Sequence, residues 1–219
     1  MTDRNKLLRS ALAAPFIALT LFPNPQAHGA PTSLTVYAGP QSVSPRQIIN
    51  VTVEASGVEA NVELSYISDG TLRNLTATTR HGLVSFDIPA QDMTGRMSFT
   101  AKTGDTLSTP ALVTVLAGPP QPFLVQLQEG GETASIDIIS DVITDKFKNP
   151  LSDLSLVSID WIDQSGLKAS QDTQLKQGRI TFTTQCPSMF YSPIKLRTSI
   201  NSVQFTSADV SSLCHSDKG

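Results

Sequence analysis

The chain is short of the residues on which most chemistry depends. In 219 residues there are two cysteines, one tryptophan, three tyrosines and three histidines; aromatics make up 6% and charged residues 16%. Sixteen Lys plus Arg stand against nineteen Asp plus Glu, with no basic tail or stripe. A nucleic-acid binder needs clustered cations to neutralise phosphates, so that class is excluded. There is no Gly-x-Ser-x-Gly elbow. Beyond the first 29 residues the histidines are His81, in the turn Arg80-His81-Gly82, and His215, close to the C-terminus. Neither is placed as a packed, carboxylate-oriented base. No glycine-rich loop leads into Lys-Ser or Lys-Thr, and Gly130-Gly131 lies between Glu129 and Glu132, which would repel a phosphate. No catalytic residue and no enzymatic activity is expected.

Long apolar runs are also missing, except at the start. Arg4, Lys6 and Arg9 precede the apolar stretch Ala11 to Phe22, and Ala27-His28-Gly29-Ala30 follows. Positive residues, a short apolar segment and small residues at a cleavage site are the marks of a signal peptide. The segment is too short to cross a bilayer comfortably. Residues 1–29 are therefore expected to be removed before Ala30. This takes away three cations and one anion and leaves thirteen against eighteen, a formal charge of -5. The expected product is exported, without a membrane-spanning segment, and lies in the periplasm, outside the cell or at its surface.

What the chain does have is a period of two. Ile49-Asn50-Val51-Thr52-Val53, Val62-Glu63-Leu64-Ser65-Tyr66 and Val84-Ser85-Phe86-Asp87-Ile88 alternate apolar with polar. Alternation puts one face of a strand in a core and the other in water. Turn formers separate the runs, Asp69-Gly70 being a strong hairpin signal. Strands are predicted near 33–38, 48–55, 61–67, 71–78, 83–88, 96–102 and 110–116, the count and spacing of a β-sandwich. Pro119, Pro120 and Pro122 then interrupt the pattern, because proline cannot sit inside a sheet. Alternation resumes at Phe123 to Leu127 and Ala134 to Ile139, with further strands near 154–161, 166–171, 178–184, 194–200 and 202–206.

The fold expected is all-β: two tandem sandwiches over 30–118 and 119–219, with one larger sandwich as the alternative. Tyr37-Ala38-Gly39-Pro40 and Leu116-Ala117-Gly118-Pro119 hint at duplication. Trp161 is expected in the second core. Cys186 and Cys214, 28 residues apart, are expected to form a disulfide in an exported chain.

The stretch Ile139 to Leu151 resembles bacterial immunoglobulin-like domains of the invasin and intimin kind, in which a strand ends in a D-x-x-G-N-P-V turn. Asp145, Asn149 and Pro150 match it; Lys148 stands where the family has glycine, and Leu151 where it has a smaller branched residue. A positive φ at that position would suit Lys148 poorly. The resemblance implies immunoglobulin-like sandwiches and a role in display, spacing or adhesion at a cell envelope.

Two further groups of side chains invite a ligand. Asp137, Asp141, Asp145, Asp153, Asp160 and Asp163 cluster loosely in the second half; Asp141 and Asp145, with Asn149 nearby, offer hard oxygens to calcium, the one cofactor left open. Their alternative role is as turn formers and solvated residues. Tyr37, Tyr66, Phe190 and Tyr191 are the aromatics available to a glycan, and Phe190 and Tyr191 are the candidate ligand contacts. The expected function is a structural or protein-binding component with an envelope or surface protein as partner. The alternatives are a pilus-type assembly chaperone, for which Arg46, Lys102 and Lys195 are the available cations, and a carbohydrate-binding module.

Overall fold

The computed structural model describes residues 31–56, 58–132, 134–186, 194–201 and 203–214. The expected signal segment, Phe190, Tyr191 and His215 lie outside them. The first group of strands is β1 (Leu34–Gly39), β2 (Ser42–Val43), β3 (Ile48–Ala55), β4 (Asn61–Ser68), β5 (Thr71–Thr78), β6 (Leu83–Pro89), β7 (Gly95–Thr103), β8 (Thr106–Leu107) and β9 (Ala111–Val115). All seven predicted strands form, within a residue or two of the expected bounds. The two-residue pieces β2 and β8 carry too little pattern to be seen in the sequence.

These strands make two sheets, ordered β1-β3-β6 and β2-β9-β7-β4-β5, with β8 paired to β7. Ile49, Val51 and Val53 of β3 alternate into the space between the sheets and have no exposed surface. Leu64, Met97, Phe99 and Val113 meet them from the other side. Between β1 and β2 the chain passes from one sheet to the other through the cis peptide Gly39-Pro40, and β2 pairs in parallel with β9. Asp69 and Gly70, both at positive φ, make the two-residue turn joining β4 to β5 in unbroken register.

The second group is β10 (Val125–Glu129), β11 (Ser135–Ser140), β12 (Leu156–Asp163), β13 (Gly166–Gln174), β14 (Thr181–Gln185), β15 (Lys195–Ile200) and β16 (Val203–Asp209), followed by the short helix α1 (Ser211–Cys214). The sheets are β10-β11-β14 and β13-β12-β15-β16. Their core holds Ile136, Ile138, Ile159, Trp161 and Ile200, all without exposed surface. The register of β12 on β13 shifts between Trp161 and Ile162. That irregularity explains why the alternation around Trp161 looks mixed: Asp163 lies past it, accepting from the backbone N–H and Oγ of Ser165 in the following turn.

Both groups have the strand arrangement of immunoglobulin-like and fibronectin-like sandwiches, with the tryptophan on the strand where such domains commonly bury one. Among the described residues no strand of one group pairs with a strand of the other, and each group has its own apolar cluster. The repeated Gly-Pro pairs are not equivalent in position. Gly39-Pro40 follows the first strand of its group, whereas Gly118-Pro119 precedes β10. Their spacing therefore does not mark a duplicated element.

Cys186, just after β14, is bonded to Cys214 at the end of α1, with Cα atoms 5.6 Å apart. The bond ties the last segment to the β10-β11-β14 sheet. Replacing both cysteines by serine should cost roughly 3 kcal/mol, from the loop entropy returned to the unfolded chain. The urea midpoint should drop, and reducing the unsubstituted protein should lower its midpoint to the same value.

Candidate functional site

The densest polar construction among the described residues lies where the two groups of sheets meet, in the loop between β11 and β12. Asp145 is fully buried. Its Oδ1 accepts from the backbone N–H of Phe147 (2.8 Å) and of Asn149 (3.0 Å). Its Oδ2 accepts from the backbone N–H of Gly118 (2.9 Å) and from Asn149 Nδ2 (3.1 Å). Burial works against the charged form and is the largest single influence on this carboxyl. The hydrogen bonds from Gly118, Asn149 and Phe147 together outweigh it and hold the group below the usual carboxylate range. One carboxylate thus closes its own turn and fastens the proline-containing connector.

Asn149 carries the link onward. Its Nδ2 donates to the carbonyl of Asp92 (2.6 Å), and its Oδ1 accepts from the N–H of Thr94 (3.0 Å). Both partners belong to the loop between β6 and β7. That loop is fixed in turn: Asp69 Oδ1 accepts from the N–H of Asp92 at 3.1 Å, and Arg46 donates from Nε and Nη2 to the two oxygens of Asp92 at 2.9 and 3.0 Å. The Arg46 guanidinium lies 4.8 Å from the centre of the Phe147 ring, and Lys146 Nζ lies 4.9 Å from it. These are cation–π distances. The Arg46–Asp92 pair is exposed, so its contribution is orientation more than stability.

Lys148 sits at φ 69°, in the left-handed region. The turn does require a positive φ at the position where the resembled family has glycine, and this chain places a lysine there. The turn is held by the N–H of Lys148 to the carbonyl of Asp145 and the N–H of Asp145 to the carbonyl of Asn149.

In this arrangement the oxygens of Asp145 and Asn149 that could serve calcium have another use. They are taken up by N–H donors. The other aspartates are scattered. Asp137 accepts from Thr183, Asp153 from the N–H of Gly178, and Asp160 from Ser170 and Arg197; Asp141 is exposed. Among the described residues no three His, Cys, Asp or Glu side chains are grouped to hold a metal ion.

The other candidates are also apart. Arg46 is committed to Asp92 at the junction, Lys102 lies on β7 opposite Glu63, and Lys195 lies on β15 opposite Ile162. The three do not form a carboxylate-binding cleft. Tyr37, on β1, donates to Glu54 (3.3 Å), while Tyr66, on β4 in the opposite sheet, packs on Phe99 with ring centres 5.8 Å apart. They make no shared platform. A cleft of about 250 Å³ does open at the junction, lined by Pro45, Pro119, Gln121, Lys146 and Phe147 among others. The only carboxylate on its wall is that of Asp145, which is already saturated with donors and unsuited to proton transfer.

No protein-family model matches the chain, and no curated protein matches it. Solved structures give weak likenesses. The adhesin InvE of Yersinia pseudotuberculosis is similar at TM-score 0.35 and 15% identity, over 81% of this chain and 57% of that one. Trypsin-activated alpha-2-macroglobulin from Escherichia coli is similar at 0.34 and 14%, over 80% of this chain and 15% of that one. The first three fibronectin-type domains of chicken CNTN1 are similar at 0.32 and 10%, over 83% and 64%. The chain spans less than two thirds of each. It thus has a weak, low-identity structural resemblance to a bacterial invasin-type protein with immunoglobulin-like domains.

Two measurements test the junction. Because the folded-state pKa of Asp145 is depressed, its stabilisation is present above the unfolded value and is lost as pH falls through the folded one. The difference in unfolding free energy between the protein and Asp145→Ala, read from urea titrations, should therefore be large at neutral pH, on the order of 3 kcal/mol. It should shrink in strong acid; a constant difference would contradict the ionised role. Lys148→Gly should stabilise by roughly 0.5–1 kcal/mol, since relief of the left-handed strain exceeds the added backbone entropy.

Proposed function

We propose that this chain is a non-enzymatic, exported, structural or protein-binding component of a bacterial cell envelope or surface assembly. In this reading a signal peptide over 1–29 precedes two immunoglobulin-like modules, 30–118 and 119–219, and the mature protein works in the periplasm or outside the cell. Among the described residues no helix is long and apolar enough to cross a membrane.

The observation that carries the proposal is the junction. Enzymes and ligand-gated binding proteins built from two lobes keep reactive groups or a hinge between them. Here the junction between the sheet groups is held by a saturated carboxylate and an asparagine that together tie three separate chain segments. Such a joint fixes direction. It suits a spacer or display element, whose use lies in holding one surface at a set angle to another.

The dispersal of Arg46, Lys102 and Lys195 gives the chaperone alternative no anchoring site. Phe190 and Tyr191 remain proposed ligand contacts, a few positions after Cys186 in the sequence.

Small-angle X-ray scattering of the exported protein should fit a single shape, and Asn149→Ala together with Asp145→Ala should broaden its distance distribution. An already flexible unsubstituted protein would defeat the spacer reading. In-cell crosslinking with mass spectrometry should recover an envelope or surface protein, and Phe190→Ala with Tyr191→Ala should weaken that capture if these residues touch the partner. Recovery of cytosolic proteins alone would place the chain elsewhere.

A further inference from the structure

The first sandwich is lopsided. One sheet has three strands, while the facing sheet runs β2-β9-β7-β4-β5. The outermost strand, β5, overhangs the core: seven of its eight residues are exposed, and Ala77 is half-buried. Leu75 faces inward opposite Leu64, yet keeps 37% of its surface exposed because the narrower sheet does not reach it. Leu72 on the other face is 64% exposed, opposite Ile67 at 54%.

Long bare edges are normally blunted by proline, a bulge or several charges. β13, at the corresponding edge of the second sandwich, has a register shift against its neighbour and carries Asp172. β5 has eight residues in unbroken register, no proline, and a single charge, Arg73. The Asp69-Gly70 turn makes Ser68 and Thr71 the first hydrogen-bonded pair. By alternation Arg73, Leu75 and Ala77 then bond to β4, so the N–H and C=O groups of Leu72, Asn74, Thr76 and Thr78 point outward.

We propose that β5 pairs with β5 of a second copy of this chain, antiparallel about a two-fold axis through Leu75. The choice of occupant comes from the strand's own symmetry. An antiparallel self-pair must set outward-bonding residues against one another, and the register centred on Leu75 does so, with Asn74 opposite the partner's Thr76 and Leu72 opposite the partner's Thr78. On the inner face it sets Leu75 against the partner's Leu75 as a close, non-hydrogen-bonded pair, covering the side chain that the narrow sheet leaves bare. It sets Arg73 against the partner's Ala77, so the two like charges are kept apart. It also carries Arg80, just beyond the strand, toward the partner's Asp69-Gly70 turn, a complementary pair of charges. The interface is isologous, so assembly closes at a dimer and does not run on into a fibre. This inference stands independently of the export reading.

The test is a cysteine scan in the otherwise intact exported protein. On the axis, Leu75→Cys should give a disulfide-linked dimer under mild oxidation. Asn74→Cys and Leu72→Cys, equally exposed but facing other residues, should give little. Asn74→Pro removes one outward N–H without touching the bonds to β4, and should convert the unsubstituted dimer to monomer in analytical ultracentrifugation at an unchanged melting temperature. Should that variant lose its fold, Leu75→Lys places like charges on the axis and must show the same dissociation. A protein that sediments as a monomer across a wide concentration range, equal crosslinking at all three positions, or a foreign strand bound at β5 of a monomer would each overturn the proposal.

Discussion

The junction between the two groups of sheets depends on one buried carboxylate. Removing Asp145 from water is unfavourable, and the chain offsets this with four donors converging on two oxygens. Three of those donors belong to its own turn and one to the connector. The charge therefore shapes the loop locally and fixes the connector at the same time. Asn149, held by the same carboxylate, is presented at the angle needed to grip the loop between β6 and β7. Without the anion, the turn would lose its organising centre and the joint would lose a side.

The joint also shows how a local compromise is sustained by tertiary context. Lys148 occupies a left-handed position more suited to glycine. The surrounding bonds over-determine the turn: Asp145 and Asn149 exchange backbone and side-chain hydrogen bonds across it, and Arg46 and Lys146 both lie within cation–π distance of the Phe147 ring. A strained residue persists where neighbouring contacts leave it no alternative. Lys148 thus adopts the left-handed conformation that a glycine would take at this position.

The two sandwiches treat their edges differently, and this divides structure from interaction. The second is closed off by a bulge against β13 and by a disulfide that ties down its last segment. The first leaves β5 long, regular and nearly uncharged. Stability is supplied by alternating cores in both cases, and in the first β5 keeps a long, regular row of backbone groups that no other described strand pairs with. The hydrogen bonds of Asp145 and Asn149 link the loops of the first group of sheets to those of the second.

The sequence by itself determined the strands, the turns and the cores. Period-two alternation in β3, β4 and β6 and the Asp69-Gly70 turn are local facts, written in consecutive residues, and they translate directly into strand and hairpin. The burial of Trp161 and the pairing of Cys186 with Cys214 were also legible, since a lone tryptophan in a strand and two cysteines with no third to compete have few other places to go. What only the tertiary structure decided was the work of the polar side chains. Asp145 and Asn149 read as a modest turn motif or as hard ligands for an ion, because their partners at Gly118, Asp92 and Thr94 contribute backbone groups, and a backbone N–H or C=O is the same at every position in a sequence. The exposure of Leu75 was equally hidden: its place in the alternation points inward, and only the width of the facing sheet shows that nothing lies there to meet it.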